Sequence, residues 1–236
     1  MKVLFWDIDG TLLTTAKAGV FAWEDAVREI IGRDDFELAR MRIAGLTDYQ
    51  IAVKTFESLG VEPDEARLRH FVDRYGELLP TSLPRRKGRV LPNVREILEH
   101  LSGKNDVRSY LLTGNTRAGA RAKLTHYDLL HFFAGGADGA FAEDTGTRAS
   151  IASRALALAR KSGPVSEEAI FVIGDTPHDI ECARAIDART IAVATGGYSV
   201  DELREHNPWR LFAELPSPEE FVRLIEDDDP GRINAA

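Results

Sequence analysis

The sequence predicts an α/β fold, a doubly wound parallel sheet carrying an inserted α-helical domain. Three observations lead there. Short runs that are apolar at nearly every position, rather than alternating, recur along the chain and fit strands covered on both faces. Helical patterns of 10–15 residues separate the later runs, which is the rhythm of parallel strands joined by crossover helices. Between the first and second runs lies a long stretch with helical periodicity and no convincing strand.

The first run, Val3-Leu4-Phe5-Trp6, is short and β-prone and ends at Asp7-Ile8-Asp9-Gly10-Thr11, so it reads as a buried strand entering a loop. From about Thr15 to Pro84 the apolar residues fall at helical spacing. Phe21, Ala22, Ala26, Ile30 and Ile31 form one set; Ile51, Phe56 and Leu59 a second; Leu68, Phe71, Val72 and Tyr75 a third. Pro63-Asp64-Glu65 marks a helix start, with proline and acid where the helix dipole favours them. The segment Pro80 to Gly88 closes the insertion, and a helix begins near Pro92. Strands follow at Ser109–Leu112, Ala169–Ile173 and Thr190–Ala194. The expected organisation is a core of residues 1–14 and 86–236 with a helical domain over 15–85. The acidic tail after Ile225 is expected to fray.

Length agrees with this division: 236 residues, at roughly 150 per domain, make one large domain or one plus a smaller module. Thirty basic and 38 acidic side chains give a net charge of −8, which disfavours non-specific binding to nucleic acid or an anionic bilayer. It leaves room for a local basic pocket for one phosphate. The lone Cys182 excludes an intrachain disulfide framework and a multi-cysteine metal site. No apolar run approaches the roughly 18 residues of a membrane span. Met1-Lys2 leads directly into the first strand without a signal-peptide pattern, so a soluble, cytoplasmic protein is expected.

The chemistry gathers where strands end. Asp7 and Asp9 are two residues apart, and in extended chain such side chains face the same way. The cleft of an open parallel sheet lies beyond the carboxyl ends of its strands. Two carboxylates there can hold magnesium or divide the work of nucleophile and general acid/base; an acidic turn freed by Gly10 is the plainer reading. Leu111-Leu112-Thr113-Gly114-Asn115 brings a hydroxyl, a glycine and an amide to a second strand end, able to donate to a phosphate oxygen or simply to open a helix. Gly174-Asp175-Thr176-Pro177-His178-Asp179 adds carboxylates at a third, where Asp175 or Thr176 could equally be a helix cap.

Together, Asp7-Ile8-Asp9-Gly10-Thr11, Thr113-Gly114-Asn115 and Gly174-Asp175-Thr176-Pro177-His178-Asp179 resemble the haloacid dehalogenase-like hydrolase superfamily, and within it the phosphoglycolate phosphatase-like branch. The resemblance spans roughly Lys2 to Ile225 and implies a Rossmann-like core, with the insertion standing where that family carries a cap. It implies a magnesium-dependent phosphatase acting on a small phosphorylated metabolite through an aspartyl-phosphate. On that reading Asp7 is the nucleophile and Asp9 the general acid/base. Magnesium is held by Asp7, the Asp9 carbonyl and Asp175, with Asp179 as ligand or support. Thr113, Gly114 and Asn115 bind phosphate. The family also expects a basic residue, usually lysine, near the helix before the last acidic motif; Arg148 is the best match, ahead of Arg154, Arg160 and Lys161, and on this resemblance it too binds the phosphate.

The presence of Asp9 separates this pattern from that of the dehalogenases, which need no acid there. A sugar-phosphate mutase keeps the same acid and stands as the alternative; a non-catalytic binding protein on this fold is a third possibility. A phosphonate hydrolase would need a Schiff-base lysine, and neither Lys17 nor Lys54 has a context that recommends it. In the insertion, Gly19 suits a hinge, and Arg42-Ile43-Ala44-Gly45-Leu46-Thr47-Asp48 is similar to the cap loop that faces the active site, with Arg42 or Thr47 as substrate contacts. Thr47 or Asp48 as a helix cap is the competing reading. Arg85-Arg86-Lys87-Gly88-Arg89 reads as a solvated linker. His70, His100, His126, His131 and His206 show no ligand spacing, and His178 reads as structural.

Overall fold

The structure, a computed structural model, describes residues 1–41, 43–133 and 138–226. Arg42 and the acidic tail from Asp227 onward therefore lie outside the described residues. Six strands form one parallel sheet: β1 (Lys2–Trp6), β4 (Val107–Leu112), β5 (Gly139–Ala140), β6 (Ile170–Gly174), β7 (Arg189–Val193) and β8 (Arg210–Phe212). A separate antiparallel pair joins β2 (Leu13–Thr14) to β3 (Arg89–Val90). The large sheet runs β5-β4-β1-β6-β7-β8. The chain thus builds outward from β1 on one side, then returns to build on the other, which is the doubly wound arrangement with its switch point at β1.

Side chains alternate across β1 and supply two cores. Val3 and Phe5 pack on one face with Tyr110, Leu112 and Val172; Leu4 and Trp6 pack on the other with Leu111, Phe171 and Ile173. Helices cover both faces. On the first lie α6 (Arg148–Lys161) and α7 (Pro177–Ala185). On the second lie α4 (Val94–Ser102), the Ala120–Leu124 side of α5 (Arg117–His126), and α9 (Pro218–Glu226), whose Phe221 stacks on Trp6 at 5.5 Å. The short α8 (Val200–Glu205) follows β7.

The insertion leaves through β2 and returns through β3. It holds α1 (Gly19–Ile31), α2 (Asp48–Ser58) and α3 (Glu65–Ser82). These bury an aromatic cluster: Trp23 meets Tyr75 at 4.8 Å and Phe71 at 5.0 Å, while its indole N–H donates to Thr55 Oγ1 at 3.1 Å. The expected start of α3 is present, with Asp64 accepting from Arg67 N. The helix runs through Pro80 to Ser82, into the segment expected to close the insertion. Proline there forfeits one backbone bond, to the carbonyl of Gly76, and Gly76 packs closely enough on α5 that a Cβ would meet Ala118 Cβ at 3.0 Å. Arg85, in the basic run, is exposed, with its guanidinium 3.8 Å above the Phe21 ring and 3.4 Å from Asp25. Four strands went unread in the sequence. β2, β3 and the edge strands β5 and β8 are two or three residues long, too short for periodicity to register.

Candidate active site

The acidic cluster forms because three adjacent parallel strands end together. β1 pairs Trp6 with Leu111 of β4 and Ile173 of β6. One residue further on, Asp7 N donates to Ile173 O at 3.0 Å. Asp7 therefore emerges between Thr113 and Asp175. Asp179 comes up from the first turn of α7, where its Oδ2 accepts from Thr176 N at 3.0 Å and Thr176 Oγ1 at 2.7 Å. Carboxylate oxygens of Asp7, Asp175 and Asp179 all lie within 4.8 Å of one another, and all three residues are buried.

Arg148 opens α6, with Thr147 as its N-cap, and reaches the cluster. Its Nη2 hydrogen-bonds Asp179 Oδ1 and stands 3.8 Å from Asp7 Oδ1. Burial works against that guanidinium, and the Asp179 and Asp7 carboxylates more than offset it, so its pKa rises. The carboxylates remain in excess. Burial first, and then the Asp179 charge, push the Asp7 carboxyl up to about 7. Burial, followed by Asp7 and Asp179, raises Asp175 well above its usual range, although Thr11 Oγ1 donates to it at 3.1 Å. Three buried carboxylates against one arginine form a hard-oxygen site short of positive charge. That donor chemistry fits a divalent cation such as magnesium.

Asp9 sits in a different environment. Its Oδ2 takes Lys123 Nζ at 2.5 Å and Asn115 Nδ2 at 2.9 Å, and Lys123 Nζ also meets Asn115 Oδ1 at 2.5 Å. Asp9 therefore contributes no side-chain oxygen to the cluster, and its backbone carbonyl is the atom left for the ligand role implied by the resemblance. Burial alone would lower the Lys123 pKa, yet Asp9, Tyr75 and Asp48 raise it, so the ammonium is held firmly. Asn115 also donates to Thr113 Oγ1 at 2.9 Å, so its amide is engaged with neighbours on three sides.

Above this edge, the Ile43–Asp48 loop of the insertion rests on the β4 loop. Asp48 N donates to Gly114 O at 2.8 Å, and the Asp48 carboxylate accepts from Thr116 N at 2.7 Å. Burial lifts the Asp48 carboxyl to about 6 against the opposing pull of Lys123. Thr47 is fully buried and its hydroxyl accepts from Gln50 N in a capping box, which commits it to the start of α2. Gly45 packs on His178: a Cβ there would lie 2.2 Å from the ring. The cavity enclosed between sheet edge and insertion is about 470 Å³. Its floor includes Asp7, Asp175 and Arg148, and its roof is largely apolar, with Val20, Trp23, Ile43, Leu46 and Tyr75. Gly19 lines the same cavity, 3.1 Å from Tyr75 Oη by its would-be Cβ, so packing already calls for glycine there.

The structure thus brings Asp7, Asp175, Asp179, Arg148, Thr113, Gly114, Asn115 and Asp9 to one sheet edge. Lys123, Asp48 and Thr11 are there too; none was assigned a site role from the sequence, although Asp48 was read as a possible helix cap and Thr11 stood in the first motif. Lys123 had a signal: it lies on the Thr116, Ala120, Leu124 face of α5, where a buried lysine calls for a partner.

A buried carboxylate cluster stands beside a fixed arginine, at the switch point of a doubly wound sheet and under a helical insertion, a set of groups able to hold a cation and an anion together. The haloacid dehalogenase-like hydrolase family model matches residues 4–184, and the chain belongs to that family. It is 30% identical to a 5'-nucleotidase of Pseudomonas aeruginosa over 215 residues, which is 90% of this chain and 91% of the relative. Among solved structures, it is similar to a HAD hydrolase, family IA, variant 3, from Entamoeba histolytica, with a TM-score of 0.71, 21% identity and coverage of 96% and 100% of the two chains. A predicted phosphoglycolate phosphatase from Haemophilus somnus matches with a TM-score of 0.70, 18% identity and coverage of 95% and 97%. These two likenesses speak to the fold. No helix among the described residues is long and apolar enough to cross a membrane.

Proposed function

We propose that the chain is a magnesium-dependent phosphatase that hydrolyses small phosphate monoesters through an aspartyl-phosphate on Asp7. The observation that carries this reading is the contrast between two aspartates two residues apart. Asp7 joins a buried carboxylate cluster, whereas Asp9 is paired with Lys123 and Asn115 outside it. Contrasting environments suit a nucleophile and an acid/base working side by side.

On this reading Asp7 attacks phosphorus in line. Asp9 delivers a proton to the departing oxygen, then takes one from the water that cleaves the intermediate. Arg148 and the Thr113 hydroxyl hold the phosphoryl oxygens, the arginine through a planar fork where the family usually has lysine. Magnesium, held by the Asp7 and Asp175 carboxylates and the Asp9 carbonyl with Asp179 in support, would neutralise the repulsion between carboxylate and phosphate. Residues 15–85 act as a cap, and the apolar roof receives the leaving group. The roof supports a leaving group with an apolar or planar body, and the 5'-nucleotidase relative makes nucleoside monophosphates the first substrates to try. The natural setting is the cytoplasm, with small metabolites and not nucleic acid as partners.

The test is release of free phosphate from p-nitrophenyl phosphate and a panel of metabolite monoesters in the presence of magnesium. Turnover by wild type that is lost in Asp7→Asn supports the reading. Unchanged turnover in Asp7→Asn would sink the mechanism.

A further inference from the structure

Lys123 is 5% exposed, on a helix face where an apolar residue would complete the packing. An ammonium buried there is costly unless it is closely paired. Its pairing is specific. Nζ lies 2.5 Å from Asp9 Oδ2 and 2.5 Å from Asn115 Oδ1, and Asn115 Nδ2 lies 2.9 Å from that same Asp9 oxygen. Two donors from the far side of the site thus converge on Oδ2. That fixes the carboxyl plane and leaves Oδ1 to carry the transferred proton.

We propose that Lys123 is a positioning residue for Asp9, holding its carboxyl, together with Asn115, in the orientation that serves the leaving-group oxygen. The inference rests on the acid/base role given to Asp9 above. It differs from a purely structural role in one respect. Loss of Lys123 should hurt most where proton delivery matters most, with substrates whose leaving groups are weakly acidic.

Phenyl phosphate and p-nitrophenyl phosphate are nearly the same shape, but p-nitrophenolate departs far more readily without a proton. Measuring kcat/KM, which covers the steps through leaving-group departure, isolates this difference from later hydrolysis of the intermediate. The assay uses magnesium-loaded wild type, Asp9→Asn, Lys123→Met and the double variant. Asp9→Asn should lower phenyl phosphate turnover by about 10²–10⁴-fold and p-nitrophenyl phosphate turnover much less. Lys123→Met should reproduce that selectivity, with a loss of about 10-fold or more on phenyl phosphate, and should add little to Asp9→Asn. Equal losses on both substrates, or losses that multiply in the double variant, overturn the inference while leaving the role of Asp9 intact. No selectivity in Asp9→Asn overturns the acid/base assignment and this inference with it. Should Lys123→Met not fold by circular dichroism, Lys123→Gln, which keeps a donor but not the charge, is read by the same criteria.

Discussion

Replacing Asp48 with asparagine separates the charge of this residue from its shape. The side chain is 6% exposed and accepts from Thr116 N at 2.7 Å, so it ties the start of α2 to the start of α5. Asparagine keeps an acceptor oxygen in the same place. What it removes is a carboxyl whose pKa burial raises from 3.8 to about 6 in the folded chain. Because the folded pKa lies above the unfolded one, the native state binds the extra proton between these values, and wild-type stability falls as pH rises through that window. The rise corresponds to about 3 kcal/mol in all, complete by about pH 7. Urea unfolding of wild type and Asp48→Asn from pH 4 to 8 should therefore show the variant gaining on wild type by about 2 kcal/mol between pH 4 and 6, with little further gain above pH 7. The stronger bond from Thr116 N to the charged carboxylate is already counted, because it pulls that pKa down; differences between the neutral acid and the amide shift the offset between the curves but not their slope. A stability difference that is flat across pH 4–7, or that moves in wild type's favour as pH rises, would refute the argument.

Two other expectations follow from the same contacts. Gly45→Ala places a Cβ 2.2 Å from the His178 ring at a φ of +76°, so the melting midpoint should fall; adding His178→Ala should recover the steric part and leave the left-handed penalty of about 1–2 kcal/mol, and full recovery would contradict it. Magnesium at about 100 times its dissociation constant should stabilise wild type by about 2.7 kcal/mol in thermal melts and Asp175→Asn far less, an equal gain in both counting against the assigned ligand set.

What the sequence made legible was the chemistry that lies consecutively along the chain. Asp7 and Asp9 share one loop, and Asp175 and Asp179 lie four apart across one strand-to-helix junction, so their spacing survives translation into space. Arg148 could be picked out because it stands at a helix entrance. Lys123 could not be read in this way, since its partner is 114 positions earlier and a lysine on an amphipathic helix reads first as a solvated residue. Asp48 was visible only as a rival helix cap to Thr47. In the structure Thr47 caps α2, and Asp48 supplies an acceptor to the first turn of a different helix. The long central strands were evident from their apolar runs. The edge strands β5 and β8 draw their stability from neighbours, so their own residues carry little pattern.

The parallel ladder also acts as a ruler. Asp7 lies one residue and Asp175 two residues beyond the paired Trp6 and Ile173, so the positions from which they project are set by neighbouring strand ends roughly 4.8 Å apart and not by the inserted helices. On the proposed reading, changes in residues 15–85 would reshape the chamber for a substrate without altering the gauge at which the carboxylates meet it. Selectivity and reaction distance would then be written in different parts of the chain, and one could be re-engineered while the other is left standing.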